Sequence, residues 1–244
     1  MTQTPTADSA TAPANSLPAR FAGVLFTPRA TYANVAAHPR WLGIFLTVFL
    51  IMGSAAVALL STETGRTAVV DQQISQAESY GRHLTQAQID QIEKFAPYSA
   101  YIAPVFQLFF LVGGGLIVAG LAFAVFNAIL GGDATFKQVF AVVMHSAVVL
   151  AALSLFTTPL SYARETLSSA TNLGIFLPFL DESSFLARLL GSIDLIFIWW
   201  MLSLAIGLGV LYRRRTGPIA ITMFAVYVVI GMVVAAIKTA SAGV

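Results

Sequence analysis

Five stretches of this chain consist almost wholly of apolar side chains, and each is close to the length of a bilayer crossing. They cover residues 41–60, 104–130, 139–157, 191–211 and 218–237. A helix needs about 20 mostly apolar residues to cross the hydrocarbon, so each stretch is predicted to span a membrane. The first holds no charge and opens on Trp41, a residue type that favours the interface. The second is the longest, at 27 residues, and has to tilt or project beyond the hydrocarbon. The fifth opens on Pro218, whose missing N–H costs nothing in a first helical turn. The pattern predicts an all-α fold class, a polytopic membrane protein with five transmembrane helices.

Elsewhere the apolar residues thin out but keep a helical spacing. Phe21, Val24 and Leu25 fall on one helical face. Thr27-Pro28 supplies a cap and a first-turn proline for a restart, after which Tyr32 and Val35 continue the face. Two short amphipathic helices lying in the headgroup region are expected over residues 20–37. In residues 61–103, Val69, Val70, Ile74 and Ala77 recur at helical spacing. Thr85-Gln-Ala-Gln88 reads as a capping box ahead of Ile89, Ile92 and Phe95. This segment is expected to form a helical extracytoplasmic loop, two amphipathic helices packed together. Residues 158–190 are irregular, with Pro159 and Pro178. Residues 1–17 have the composition of a disordered polar tail, 18–237 form the membrane domain, and 238–244 are a short carboxyl-terminal tail. There is no internal repeat.

Composition narrows the class. Of 244 residues, 13 are Lys or Arg and 11 are Asp or Glu, or 10% charged, where a soluble domain carries about 25%. Apolar residues reach 57% and mean hydropathy is +0.81, which leaves too little polar surface for a soluble enzyme. The absence of cysteine removes disulfides, thiolate metal sites and cysteine nucleophiles. A net charge of +2 gives no reason to expect a nucleic-acid partner. Charge position is more informative. The side of the amino terminus carries seven basic and two acidic residues, the other side six basic and eight acidic. Arg213-Arg-Arg215 lies in a short loop tight against two spans, where the positive-inside rule acts most strongly. The expected location is the cytoplasmic (inner) membrane, with the amino terminus cytoplasmic and the carboxyl terminus extracytoplasmic.

Few residues are left for chemistry. Asp194 is the one formal charge inside a predicted span, about three residues into it, and is expected to cap the helix or bond across helices. His145, near the middle of the third span, is expected to be neutral and bonded to a neighbouring helix. Its neighbour Ser146 points away on a helix, so the two make no hydrolase pair. Asn127, late in the second span, can glue helices or bind a headgroup. Arg213, Arg214 and Arg215 mark topology and attract anionic headgroups. Gly120, Ala124 and Ala128 form a small-residue stripe, as do Ala205 with Gly209 and Gly231 with Ala235, and these predict close helix packing. Gly113-Gly-Gly115 should let the second helix bend. No metalloprotease, nucleophile-elbow or nucleotide-loop motif is present, so no catalytic residue, metal or cofactor is expected.

Three segments in order carry a family likeness. They are Leu25-Phe-Thr-Pro-Arg-Ala-Thr-Tyr32 with Pro39-Arg-Trp41, Gly131-Gly-Asp-Ala-Thr-Phe-Lys-Gln138, and Ser192-Ile-Asp-Leu-Ile-Phe-Ile-Trp199 leading into Ala205-Ile-Gly207. With them the chain resembles bacterial members of the Yip family, membrane proteins named for the Ypt/Rab-interacting proteins of eukaryotes. The resemblance implies a helical domain with a cytoplasmic amino terminus, no enzyme activity and no cofactor. Eukaryotic relatives bind Rab GTPases, but the Asp-Leu-Tyr-Gly-Pro stretch of that branch is absent here, so no Rab-type GTPase partner is expected. The expected partners are the lipid bilayer and other membrane proteins or a second copy of the chain. The leading expectation is a non-enzymatic adaptor or membrane-organising scaffold. The alternative is a transporter or permease component, with Asp194, His145 and Asn127 lining one polar path.

Overall fold

The computed structural model describes residues 16–181 and 184–242. Residues 1–15 of the expected polar tail, and Glu182, one of the acids in the charge tally, lie outside them. The chain opens with α1 (Leu17–Phe26) and α2 (Pro28–Ala37), broken at Thr27 where the Thr-Pro pair predicted a restart. Helix α3 (Leu42–Leu60) follows, then α4 (Glu63–Ser79), started by the Thr62 hydroxyl accepting from the Gly65 N–H at 3.0 Å. In α5 (Gln86–Phe95) the predicted capping box forms, the Thr85 N–H donating to Gln88 Oε1 at 2.9 Å. A single turn over Ala96–Tyr98 carries the chain straight into α6 (Ser99–Phe123), which ends in a π-helical turn over Ala124–Ile129.

The remaining helices are α7 (Phe136–Ser146), α8 (Val148–Ala163), α9 (Phe185–Ser192), α10 (Leu195–Leu211) and α11 (Thr216–Ala242). Among the described residues four helical stretches are long and apolar enough to cross a membrane: Leu42–Leu60, Gln86–Ile129, Phe136–Ala163 and Thr216–Ser241. The fourth predicted span, 191–211, corresponds to α10, apolar but only 17 residues long. It is shorter than expected because residues 191–194 do not join it. Ser192 ends α9, and Ile193 and Asp194 are extended. Asn172 and Asp194 form an isolated antiparallel bridge there, with Leu173 N–H on Ile193 O at 2.9 Å and Leu195 N–H on Thr171 O at 3.0 Å. The second span also differs from its predicted start. Pro104 lies inside α6 rather than at its beginning, because the helix already runs from the preceding loop.

The core sits around α7 and α8. Every residue from Val139 to Ser146 is buried, against α6 on one side and α10 and α2 on the other. Helices α1 and α2 belong to this core. Val24, Tyr32 and Val35 are buried in the same cluster as Val142, Leu204 and Leu208, so the amphipathic face predicted for the lipid interface packs on protein instead. The Tyr32 hydroxyl and Ser203 Oγ are 2.7 Å apart, the Arg20 guanidinium donates to Arg40 O at 2.7 Å, and Gln138 Nε2 donates to Ala36 O at 2.9 Å. Burial favours the neutral form of Tyr32 and lifts its pKa.

Helix approach depends on glycines both inside and outside the predicted stripes: a Cβ on Gly231 would meet Ser192 of α9, as the Gly231/Ala235 stripe predicted. A Cβ on Gly207 would meet Val142 and Tyr32, and one on Gly115 would meet Met144. One on Gly120 meets nothing within 4 Å, so that stripe faces open space. The Gly113-Gly-Gly115 run does not break α6.

Candidate functional site

Asp194 stands at the amino-terminal end of α10, not within it. Its Oδ1 accepts the Ile196 N–H at 2.7 Å, which satisfies one of the donors every helix start leaves free. The same carboxylate accepts from the Thr171 hydroxyl at 3.0 Å and from Ser169 Oγ. The Asp194 N–H donates to the Tyr227 oxygen at 3.0 Å, and the Tyr227 hydroxyl donates to Ser192 O at 2.8 Å. One residue therefore joins the 169–173 loop, α10 and α11.

Asn127 is at the opposite end of α10. It lies in the π-helical turn and donates through Nδ2 to Ala134 O at 2.7 Å. Its Oδ1 accepts from the Tyr212 hydroxyl at 2.6 Å, and the Tyr212 ring stacks on Phe126 at 4.6 Å. Burial, with Asp133 nearby, pushes the Tyr212 pKa up to about 12. The 130–135 connection is thus fastened to the end of α10. With 17 residues between them at about 1.5 Å each, Asp194 and Tyr212 are separated by about 26 Å.

His145 is wholly buried. Its Nδ1 lies 2.7 Å from Ala141 O on its own helix, a carbonyl that can only accept, so Nδ1 carries a proton. The expected bond to a neighbouring helix is not made, and Nε2 has no hydrogen-bond partner among the described residues. Asp194, His145 and Asn127 do not converge. Among the described residues no three His, Asp or Glu side chains stand together as a metal set.

Arg213, Arg214 and Arg215 line a cavity of about 520 Å³ beside Thr216 and Gly217, and Arg29 of α2 completes it. The turn that presents them closes α10 tightly. Arg213 is left-handed at φ 52°, its N–H meets Val210 O at 3.3 Å, and the Arg214 N–H meets Gly209 O at 2.8 Å. Arg214 Nη2 also donates to Leu130 O at 3.2 Å. Sequence reasoning found the triplet but missed Arg29 and Tyr212. Their signals, an exposed charge on an amphipathic helix and an aromatic after a span, have no local partner to point at.

No curated protein and no solved structure matches the chain. A family model described as the Yip1 domain matches residues 22–237, from the first amphipathic helix to the end of the last apolar stretch. By that match across most of its length, the chain belongs to the Yip1 family of membrane proteins.

Proposed function

We propose that this Yip1-family protein is a non-enzymatic adaptor or membrane-organising scaffold of the cytoplasmic membrane. It acts through its lipid-facing helices and through the basic basin of Arg29, Arg213, Arg214 and Arg215. The observation that carries the reading is that the polar groups of the bundle are placed apart, each bonded to its own neighbours. Asp194 caps α10, Asn127 holds the 130–135 connection, and His145 bonds within its own turn. A transport path needs such groups around one wet cavity, and these lie at different depths. What remains available is surface. Phe106, Phe109 and Phe110 on α6, with Ile221, Val229 and Val233 on α11, are exposed on the bundle, fit for lipid or a partner's helix. The basin is electrostatically suited to anionic headgroups, each nearby basic residue contributing about 1 kcal/mol.

Capture of the intact protein from mild detergent, with mass spectrometry of proteins and lipids, tests this. A reproducible membrane-protein partner, or a second copy, is expected together with enriched anionic lipid. Recovery of none of these sinks the adaptor reading. Orientation is tested separately: a carboxyl-terminal reporter active only in the cytoplasm should stay silent, and activity would reverse the assignment.

A further inference from the structure

A cavity of about 850 Å³ lies at the end of the bundle away from the arginine basin, between α3, α6 and α8 and beneath α4 and α5. Its walls are set at helical spacing. Helix α8 turns Ser154, Thr157, Thr158 and Ser161 to it, one face at intervals of three and four. Helix α6 adds Ser99, Ala103 and Gln107 at four-residue spacing. Helix α3 contributes Met52, Ala56, Leu59 and Leu60, an unbroken apolar face. From above, α4 gives Gln72 and Gln73, and α5 gives Gln88 and Gln91. The α3 wall is wholly hydrocarbon, and the others mix hydroxyls and amides with Val69, Ile92, Phe95 and Ile102, so the lining is mainly apolar with a polar seam.

Packing does not explain this lining. The space is an open groove, and its volume is that of a small-molecule site. Ser99 Oγ on its wall is buried and has no hydrogen-bond partner among the described residues. The rim has two kinds of edge. Phe95 and Ile102 are 55% and 42% exposed and give an apolar opening. Arg82, in the connection between α4 and α5, is the one charged side chain lining the cavity among the described residues. It also lines an adjoining cavity of about 550 Å³, which shares Gln73, Leu84 and Ile92 with the first.

We infer that this cavity holds one anionic lipid. The acyl chain enters past Phe95 and Ile102 and lies along the α3 face. The ester and hydroxyl groups bond the Ser, Thr and Gln side chains, and the charged head sits against Arg82. A water-soluble sugar would leave the α3 wall unmatched, and a neutral lipid would leave Arg82 without a counter-charge.

The test is native mass spectrometry of the full chain in maltoside detergent, titrated with dioleoyl-phosphatidylglycerol or dioleoyl-phosphatidylcholine. One phosphatidylglycerol is expected to stay bound, with phosphatidylcholine about tenfold weaker, the loss of one charge-assisted contact. Arg82→Gln should remove that preference, and Thr157→Trp should fill the cavity and expel both lipids. Circular dichroism identical to wild type qualifies each variant. Arg82 is exposed, so Arg82→Gln decides the matter if Thr157→Trp fails to fold. Unchanged selectivity in Arg82→Gln overturns the proposal. So does a selectivity lost instead in Arg213→Gln/Arg214→Gln, which would move the site to the arginine basin and leave the scaffold reading standing.

Discussion

Within Phe136–Ala163 and Thr216–Ser241, 18-residue windows have nearly the same mean hydropathy, 2.3 and 2.5, yet 67% of the first window is buried inside the bundle and only 11% of the second. Hydropathy reports that a helix prefers to leave water; it does not say whether lipid or protein receives it. Small and bulky residues occur in both stretches; the difference is position, the first lying among α3, α6 and α10 and the second meeting chiefly α9 and α10. The buried stretch carries Ala141, His145, Ser146, Ala147 and Ala151, small or hydrogen-bonding residues that let other helices approach. The outer helix instead presents Ile221, Phe224, Val229 and Val233, bulky groups that suit acyl chains. Within a bilayer, association rests on close packing and internal hydrogen bonds because lipid is as apolar as leucine.

The contrast can be broken by substitution. The largest effect is expected at Tyr32, which is fully buried and bonded to Ser203. Tyr32→Ala should cost about 4 kcal/mol, combining a large cavity with an unpaired hydroxyl. Phe106→Ala on the lipid face, 70% exposed, should cost less than about 1 kcal/mol. Reversible unfolding in mixed micelles measures both, and equal costs would erase the distinction. Glycines provide a test of sign. Gly207→Ala, pressed on Val142 and Tyr32, should lose about 2 kcal/mol. Gly120→Ala, with open space around it, should gain about 0.5–1 kcal/mol from helix propensity.

Much of this architecture was legible in the sequence. The Thr27-Pro28 restart and the Thr85–Gln88 capping box are local devices, complete within four residues; both formed, except that Thr27 makes no side-chain cap bond and its hydroxyl turns back to Gly23 O. Contacts between distant segments were not legible. Tyr32 meets Ser203 across 171 positions, and Arg29 joins the Arg213–Arg215 turn only because α2 docks beside α10. The position of Asp194 failed for a similar reason. Apolar neighbours on both sides suggested an unbroken span, while the break came from a bridge to Asn172 that no pattern announces. The same limit applies to α1 and α2: an amphipathic face reads alike whether protein or headgroups cover it.

Smaller effects separate the two ends of α10 from its middle. Asp194→Ala should cost about 1–2 kcal/mol and speed hydrogen exchange at Ile196, with Asp194→Asn keeping most of the cap. Unchanged exchange at Ile196 would show that the cap is redundant. At the other end the effect depends on pH. Tyr212 has a folded-state pKa raised from 10.0 to about 12, so its contribution is fully present below pH 10 and is lost as pH rises toward 12. The stability difference between wild type and Tyr212→Phe should follow that window, and a flat difference would remove the role given to burial there.

The seating of α1 and α2 has a consequence in time. Residue 32 leaves the ribosome 171 residues before residue 203, its hydrogen-bond partner. At roughly 5–20 residues per second, that is an interval on the order of ten to thirty seconds. For roughly the first two thirds of it the newly made helices have no α7 to bind, and throughout it no complete α10, while the membrane surface is an apolar phase within reach. Their amphipathic design suits two successive hosts, a headgroup layer during synthesis and the bundle after it. Correct assembly of this chain therefore requires an early segment to be released from lipid at the moment its late partners arrive.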